Sequence, residues 1–211
     1  MKVRSVAGAI PIVVLLVSST VTAGTASASA ATVDGETTVS HLTGQRCLAA
    51  RAAAMADAGP GVSVVPASSC DVTIIGTVSS ARRLSSADSA VQHRAQGLEA
   101  DTNPVYAKSY HYTVYQGTDQ ENMKGTYYYD GFNVWQSTSY RSRIGSKSCW
   151  VSYSITYSVD VKACTGGGIS TNSISAHMQL WVTLAKLTPL SWREDYYVTM
   201  KPTGTSSIRK A

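Results

Sequence analysis

The side chains able to act as nucleophile, base or metal ligand are few and widely spaced: four histidines (His41, His93, His111, His177), four cysteines and 13 carboxylates in 211 residues. A hydrolase needs an activated nucleophile with a base in reach, yet no G-x-S-x-G, H-E-x-x-H or P-loop pattern occurs. A triad could be drawn from His111 or His177, one of many serines, and Asp119 or Asp160, but any serine-rich chain permits that. Asp119-Gln120-Glu121-Asn122 is rich in oxygen but lacks the ligand-plus-glycine spacing of a calcium loop, and it reads as a solvated turn. Glu194 and Asp195 are adjacent, so on a strand they project to opposite sides and make a poor pair for glycoside hydrolysis. Gly166-Gly167-Gly168 has no helix behind it and reads as a turn rather than a phosphate cradle. These residue types argue against an enzyme, and they imply no metal and no cofactor.

The cysteines Cys47, Cys70, Cys149 and Cys164 point instead to disulfide bonds. Their spacings of 23, 79 and 15 lack the close C-x-x-C pairs of a zinc site. An even count suits an oxidising compartment, and pairing by neighbourhood closes the shortest loops. The second pair carries a conflict. From Val151 to Ala163 the apolar residues keep one phase, with Val151, Tyr153, Ile155, Tyr157, Val159, Val161 and Ala163 on one side. One continuous strand would hold Cys149 and Cys164 roughly 50 Å apart, whereas a disulfide needs Cα atoms about 4.4–6.8 Å apart. A tight hairpin on Thr156-Tyr157 would set Val151 against Lys162 and Tyr153 against Asp160. Either the register shifts midway or these cysteines bond elsewhere.

The remaining chemistry is aromatic. Tyr127-Tyr128-Tyr129 must place side chains on both faces of a strand, Trp135 is in phase with Asn133, and Trp150 shares a face with Ser152 and Ser154. Tyr127, Tyr129, Trp135 and Trp150 are therefore the candidate contact surface, since exposed rings on a rigid sheet suit sugar stacking or a protein interface. The competing reading is that they fill a core.

The N-terminus indicates where this surface would work. Lys2 and Arg4 precede Val6–Val17, an uncharged apolar stretch of 12 residues, and Ala26–Ala30 then offers A-x-A sites. That is the pattern of a secretory signal peptide over residues 1–30, cleaved after Ala28, Ala30 or Ala31; it is too short for a membrane span, which needs roughly 20 residues. Cleavage after Ala30 leaves 181 of the 211 residues and lowers the net charge from +5 to +3 by removing Lys2 and Arg4. No basic run survives, so nucleic acid is not an expected partner. No later segment is long and apolar enough to cross a bilayer, and the mature chain is expected to be secreted and extracellular.

Two textures divide what remains. Residues 31–103 are rich in Ala and Ser and contain no aromatic residue. Strong helix formers in Cys47–Ala58 stop at Gly59-Pro60-Gly61, Val62–Val65 and Val72–Val78 are short β-branched runs, and Ser85-Ser86-Ala87-Asp88 resembles a capping box opening a helix toward Glu99. This predicts a small α+β lobe, or a helix and two strands packed onto the main domain; a propeptide released at Arg82-Arg83 is a further possibility. Residues 104–211 hold all 12 tyrosines, all four tryptophans and the single phenylalanine. Their period-two runs (Tyr106–Tyr115, Thr126–Trp135 with Asp130-Gly131 as its turn, Met178–Leu184, Tyr196–Met200) predict an antiparallel β-sandwich or a strongly curved sheet. The fold class expected is mainly β.

The stretch Gly125-Thr126-Tyr127-Tyr128-Tyr129-Asp130-Gly131, with Trp135, Tyr140-Arg141, Cys149, Tyr153, Tyr157 and Cys164, resembles a pattern found in small secreted actinobacterial proteins. An Ala-rich segment with its own cysteine pair precedes it in both. The resemblance implies export and this architecture but no activity and no site residue. The segment from Trp135 to Tyr153 is similar to lactococcin-type bacteriocins, which are small secreted β-sandwiches.

The function expected is that of a non-catalytic binding or assembly protein, using a sheet face or edge on another extracellular protein or a cell-surface glycan. The alternatives are a secreted antibacterial toxin or toxin-particle subunit, and an extracellular hydrolase or enzyme inhibitor without a recognisable motif.

Overall fold

The computed structural model describes residues 35–58, 66–84, 103–184 and 190–211. The expected signal peptide, the Val62–Val65 run and the helix expected from Ser85 toward Glu99 lie outside the described residues.

Alternation and turn chemistry produce two antiparallel sheets, so the chain is mainly β, with one helix among the described residues. The first sheet runs in the order β1 (Gly35–Thr43), β2 (Asp71–Ser79), β4 (Tyr106–Gln116), β5 (Asp119–Tyr129), β6 (Val134–Gln136), β9 (Gly168–Ser170). Two further strands join it: β3 (Arg82–Arg83) pairs with β4, and β7 (Ser146–Tyr153) pairs with β5. The second sheet runs β12 (Ser206–Lys210), β11 (Ser191–Met200), β10 (Ile174–Leu184), β8 (Tyr157–Gly166). Helix α1 (Gln45–Asp57) follows β1 and packs against β11 and the short turn Ala67–Cys70. The β5–β6 hairpin turns on Asp130, whose Oδ1 accepts the backbone N–H groups of Phe132 and Asn133.

The inner faces fit together by size. Tyr110, Tyr112, Met123 and Tyr127 of the first sheet meet Met178, Leu180, Tyr196, Val198 and Met200 of the second. Tyr127 donates its hydroxyl to Gly204 O at 2.7 Å, and Tyr110 accepts from Gln136 Nε2 at 3.1 Å, so these rings bury their area without orphaning their polar ends. Burial pushes the Tyr110 phenol up to about 12.

Helix α1 and strands β1 and β2 pack onto the main β domain, the second of the expected arrangements, rather than standing apart as a lobe. β2 is hydrogen-bonded to β4 from Val72↔Gln116 to Val78↔Tyr110, and its Val72 and Ile74 belong to the common core. The aromatic-free segment supplies one flank of the same sheet, where small and β-branched side chains suffice opposite the tyrosines. A propeptide ending at Arg83 would take β1 and β2 out of that sheet, and Arg82 and Arg83 are themselves paired with Ala107 and Tyr106.

The cysteine conflict resolves by a route that neither a single strand nor a hairpin anticipates. Residues 151–163 are two strands in different sheets: β7 leaves the first sheet at Tyr153, and β8 enters the second at Tyr157. β7 turns Cys149 and Val151 inward and β8 turns Tyr157, Val159 and Val161 inward, while a register shift in each strand leaves Tyr153 outward and brings Cys164 to the inner face opposite Met178. The turn is held from elsewhere, because Asp119 accepts the backbone N–H groups of Ile155 (2.5 Å), Thr156 (2.9 Å) and Tyr157 (2.9 Å). The disulfide Cys149–Cys164, with Cα atoms 5.8 Å apart, thereby ties one sheet to the other. Cys47–Cys70, 5.5 Å apart, ties α1 to the start of β2. The triple glycine carries the chain back to the first sheet with φ of 84°, 96° and 104°; a Cβ on Gly166 would lie 2.1 Å from Ser175 O.

Candidate functional site

Of the four aromatic residues expected at a contact surface, three are interior. Tyr127 and Trp135 have no exposed area and Tyr129 retains 8%. The reason lies in the resembling motif. Trp135 stacks on Tyr128, meets Tyr140 edge-on and donates Nε1–H to Arg143 O, so the loop after β6 folds back over it. A buried ion pair between Arg141 and Asp130, at 3.1 Å, anchors that loop. Tyr129 stacks on Tyr106 beneath the Gly204 turn. The motif residues form a scaffold. Trp150 alone of the four stays half-exposed, and it organises the outer face of the first sheet.

Strand register lays that face out in three rows across β2, β4, β5 and β7. Ser79 and Ser109 lie beside Thr126 and Ser146; Thr77, His111, Lys124 and Ser148 form the next row; Ile75, Thr113, Asn122 and Trp150 form the third. The first two rows line an open groove of about 580 Å³, whose wall also includes Lys147. No Asp or Glu lines it. The third row is a platform. Its node is Asn122, 1% exposed, which accepts at Oδ1 from His111 Nε2 (3.1 Å) and Thr113 Oγ1 (3.0 Å) and donates Nδ2–H to Ser152 Oγ (2.8 Å). Trp150 and His111 stand on strands flanking β5, yet their ring centroids are 5.7 Å apart, so both rings lean together over Asn122. The Lys124 ammonium lies 5.2 Å from the Trp150 ring. Lys147 is held by Ser137 Oγ and Gly166 O, and burial pushes its ammonium below the usual lysine range.

This arrangement offers a rigid ring, hydroxyl donors and acceptors, and in Lys124 a cation with no paired acid among the described residues. Asn122 belongs to the segment that reads as a solvated turn. That reading is corrected, because Asp119, Glu121 and Asn122 are all buried in β5 and the hairpin turns on Gly117-Thr118. The alternation of β4 did place His111 on the Ser/Thr face, but nothing local marks Asn122 as its partner.

The histidine–acid pairings open to the sequence are not assembled. His111 meets a carboxamide, Asp119 binds three backbone amides and Asp160 pairs with Lys162. The outer face of the second sheet carries a different set. His177 Nε2 lies 2.9 Å from Asp195 Oδ1, and its Nδ1 is 3.4 Å from Thr165 Oγ1. Asp195 also accepts from Arg193 Nε (2.6 Å) and Gln179 Nε2 (3.2 Å), and Arg46 is 3.5 Å away. Burial acts to raise the Asp195 carboxyl, but the hydrogen bonds from His177, Arg193 and Gln179 outweigh it and hold the group below the usual carboxylate range. Saturated by these partners, the carboxylate orients its neighbours. Its chain neighbour Glu194 faces inward, bonded to Trp192 Nε1 (2.7 Å) and Lys210 Nζ (2.5 Å). Also in the interior, burial first and the nearby Asp119 second push the Glu121 carboxyl up to about 8. Among the described residues no three His, Cys, Asp or Glu side chains converge as metal ligands would.

No family model, curated protein or solved structure matches the chain.

Proposed function

We propose that this is an exported, non-catalytic binding protein that docks a cell-surface glycan on the outer face of its first sheet. The observation that carries the reading is the Trp150–His111 stack, fixed over the buried Asn122 node beside a hydroxyl-lined groove. A half-exposed indole held by its neighbours pays little ordering entropy on binding, and its apolar face suits the C–H face of a sugar ring. The flanking serines and threonines match sugar hydroxyls. Export rests on the N-terminal pattern, and the two disulfides and the absence of a long apolar helix among the described residues are compatible with it.

The test is co-sedimentation of purified mature protein with insoluble bacterial cell-wall polysaccharide, comparing wild type with Trp150→Ala. Retention of wild type with at least tenfold weaker retention of the variant, at unchanged secondary structure by circular dichroism, supports the reading. Equal retention of both would remove this face from consideration.

A second reading has its own observation. β1 pairs only with β2 among the described residues, and it is exposed along nearly its whole length, including Val39 and Leu42. An edge without Pro or Lys is open to strand addition from a protein partner. Val39→Lys would abolish such an assembly without touching glycan retention.

A further inference from the structure

Resting on the glycan reading, the charges in the groove narrow the ligand class. The row that crosses its floor contains His111 and Lys124, and Lys147 stands in its wall. Lys124 is exposed and meets only the Trp150 ring, with no carboxylate partner among the described residues. The His111 ring commits Nε2–H to Asn122, which leaves Nδ1 for a ligand. Lys147 borders the groove but takes the inward phase of β7 with Cys149, and its ammonium is held by Ser137 Oγ and Gly166 O, so the charge offered to a ligand on this face is that of Lys124. A neutral sugar would use the ring and the hydroxyls and leave Lys124 idle. A bare anion would use Lys124 and ignore the ring.

We infer that the groove takes an acidic saccharide, a sugar chain carrying carboxylate or phosphate groups, with one sugar against Trp150 and its anionic substituent at Lys124. The hydroxyls of Ser109, Thr126, Ser146 and Ser148 then receive the neighbouring sugar. Attraction between exposed charges is screened by salt, with a Debye length of about 10 Å at 0.1 M. Salt therefore separates this ligand class from a neutral one.

The experiment is affinity electrophoresis and calorimetry of the full mature chain against four probes: polygalacturonate, poly(glycerol phosphate), dextran and polyglutamate. Wild type is expected to bind one or both acidic carbohydrate polymers, at least tenfold more tightly in 50 mM than in 500 mM salt. Preference between polygalacturonate and poly(glycerol phosphate) identifies carboxylate or phosphate as the substituent. Lys124→Gln is exposed and should fold normally; it is expected to weaken binding about fivefold to tenfold and to flatten the salt dependence. Trp150→Phe, which keeps a ring, should retain most of the affinity that Trp150→Ala loses. Salt-independent binding of dextran, lost with Trp150 and indifferent to Lys124, would overturn the acidic class while leaving the glycan reading intact. Binding of polyglutamate as tight as polygalacturonate, and indifferent to Trp150, would overturn both in favour of simple charge attraction. Absence of binding to every probe would overturn the acidic class, while the cell-wall sedimentation still decides the broader reading.

Discussion

The two outer faces are built alike around different hubs. Each carries a histidine stacked on an aromatic ring, cations nearby and one almost fully buried polar side chain that gathers the hydrogen bonds. On the second sheet the hub is Asp195, and Arg46, Arg193 and His177 all close on it. On the first sheet the hub is the neutral Asn122, so the positive charge of Lys124 is not cancelled by a carboxylate among the described residues. One face has spent its complementarity on itself and the other has kept it, which is why the same residue types read as structure on one side and as a docking surface on the other.

The comparison can be broken at either hub. Asp195→Asn should have the largest effect, a loss on the order of 3 kcal/mol in urea unfolding, because three donors lose a charged acceptor at once. An unchanged midpoint would show that the hub carries no load.

Changes of pH separate the second face from the interior. Asp195 is depressed in the folded state, so its contribution is present above the ordinary carboxylate range and is lost as pH falls through that range and below. Glu121 is raised from 4.5 to about 8, so the folded state holds a proton that the unfolded chain gives up; stability declines as pH rises across that window and then levels. Glu121→Gln should remove the alkaline decline, on the order of 2 kcal/mol between pH 5 and pH 8.5, while Asp195→Asn should remove only the acid limb. Urea midpoints measured across pH 3 to 9 would check both assignments.

Asn122→Asp makes the first hub resemble the second. It should raise the His111 imidazole pKa in an NMR titration and weaken acidic-polymer binding about tenfold, roughly 1.4 kcal/mol, with little cost in stability. The smallest effect belongs to Arg209→Ala, which removes a cation 4.6 Å from the Tyr197 ring behind His177; a loss of about 0.5–1 kcal/mol is expected. That variant should leave first-face binding untouched.

Much of this was legible in the residues. The helix after Gly44, the strand runs and the preference for neighbouring cysteines follow from propensity, period and loop closure. The crossing at Ser154–Thr156 was not, because Val151, Tyr157, Val159 and Val161 keep one apparent phase and a period-two pattern is blind both to a change of sheet and to the register shifts that turn Tyr153 out and Cys164 in. Nothing local marks the turn either; its amides are satisfied by Asp119, more than thirty residues earlier. The interior positions of Tyr127 and Trp135 were hidden for a related reason, since the loop that covers Trp135 is held by a pair between Asp130 and Arg141. Trp150 was legible as a polar-face aromatic, whereas its partners His111 and Asn122 come from two other strands and needed the register.

The bond between Cys149 and Cys164 has a mechanical side. The proposed glycan binder would be pulled as it holds its polymer, and the 15-residue stretch between these cysteines cannot lengthen while the bond is intact. Unravelling from the ends would release every segment outside the two disulfide loops and withhold roughly 50 Å of contour between Cys149 and Cys164. A single-molecule stretching trace of a variant with Cys47 and Cys70 replaced by alanine should gain that length in one added increment after reduction, so the bond sets how far the chain can be drawn out under load.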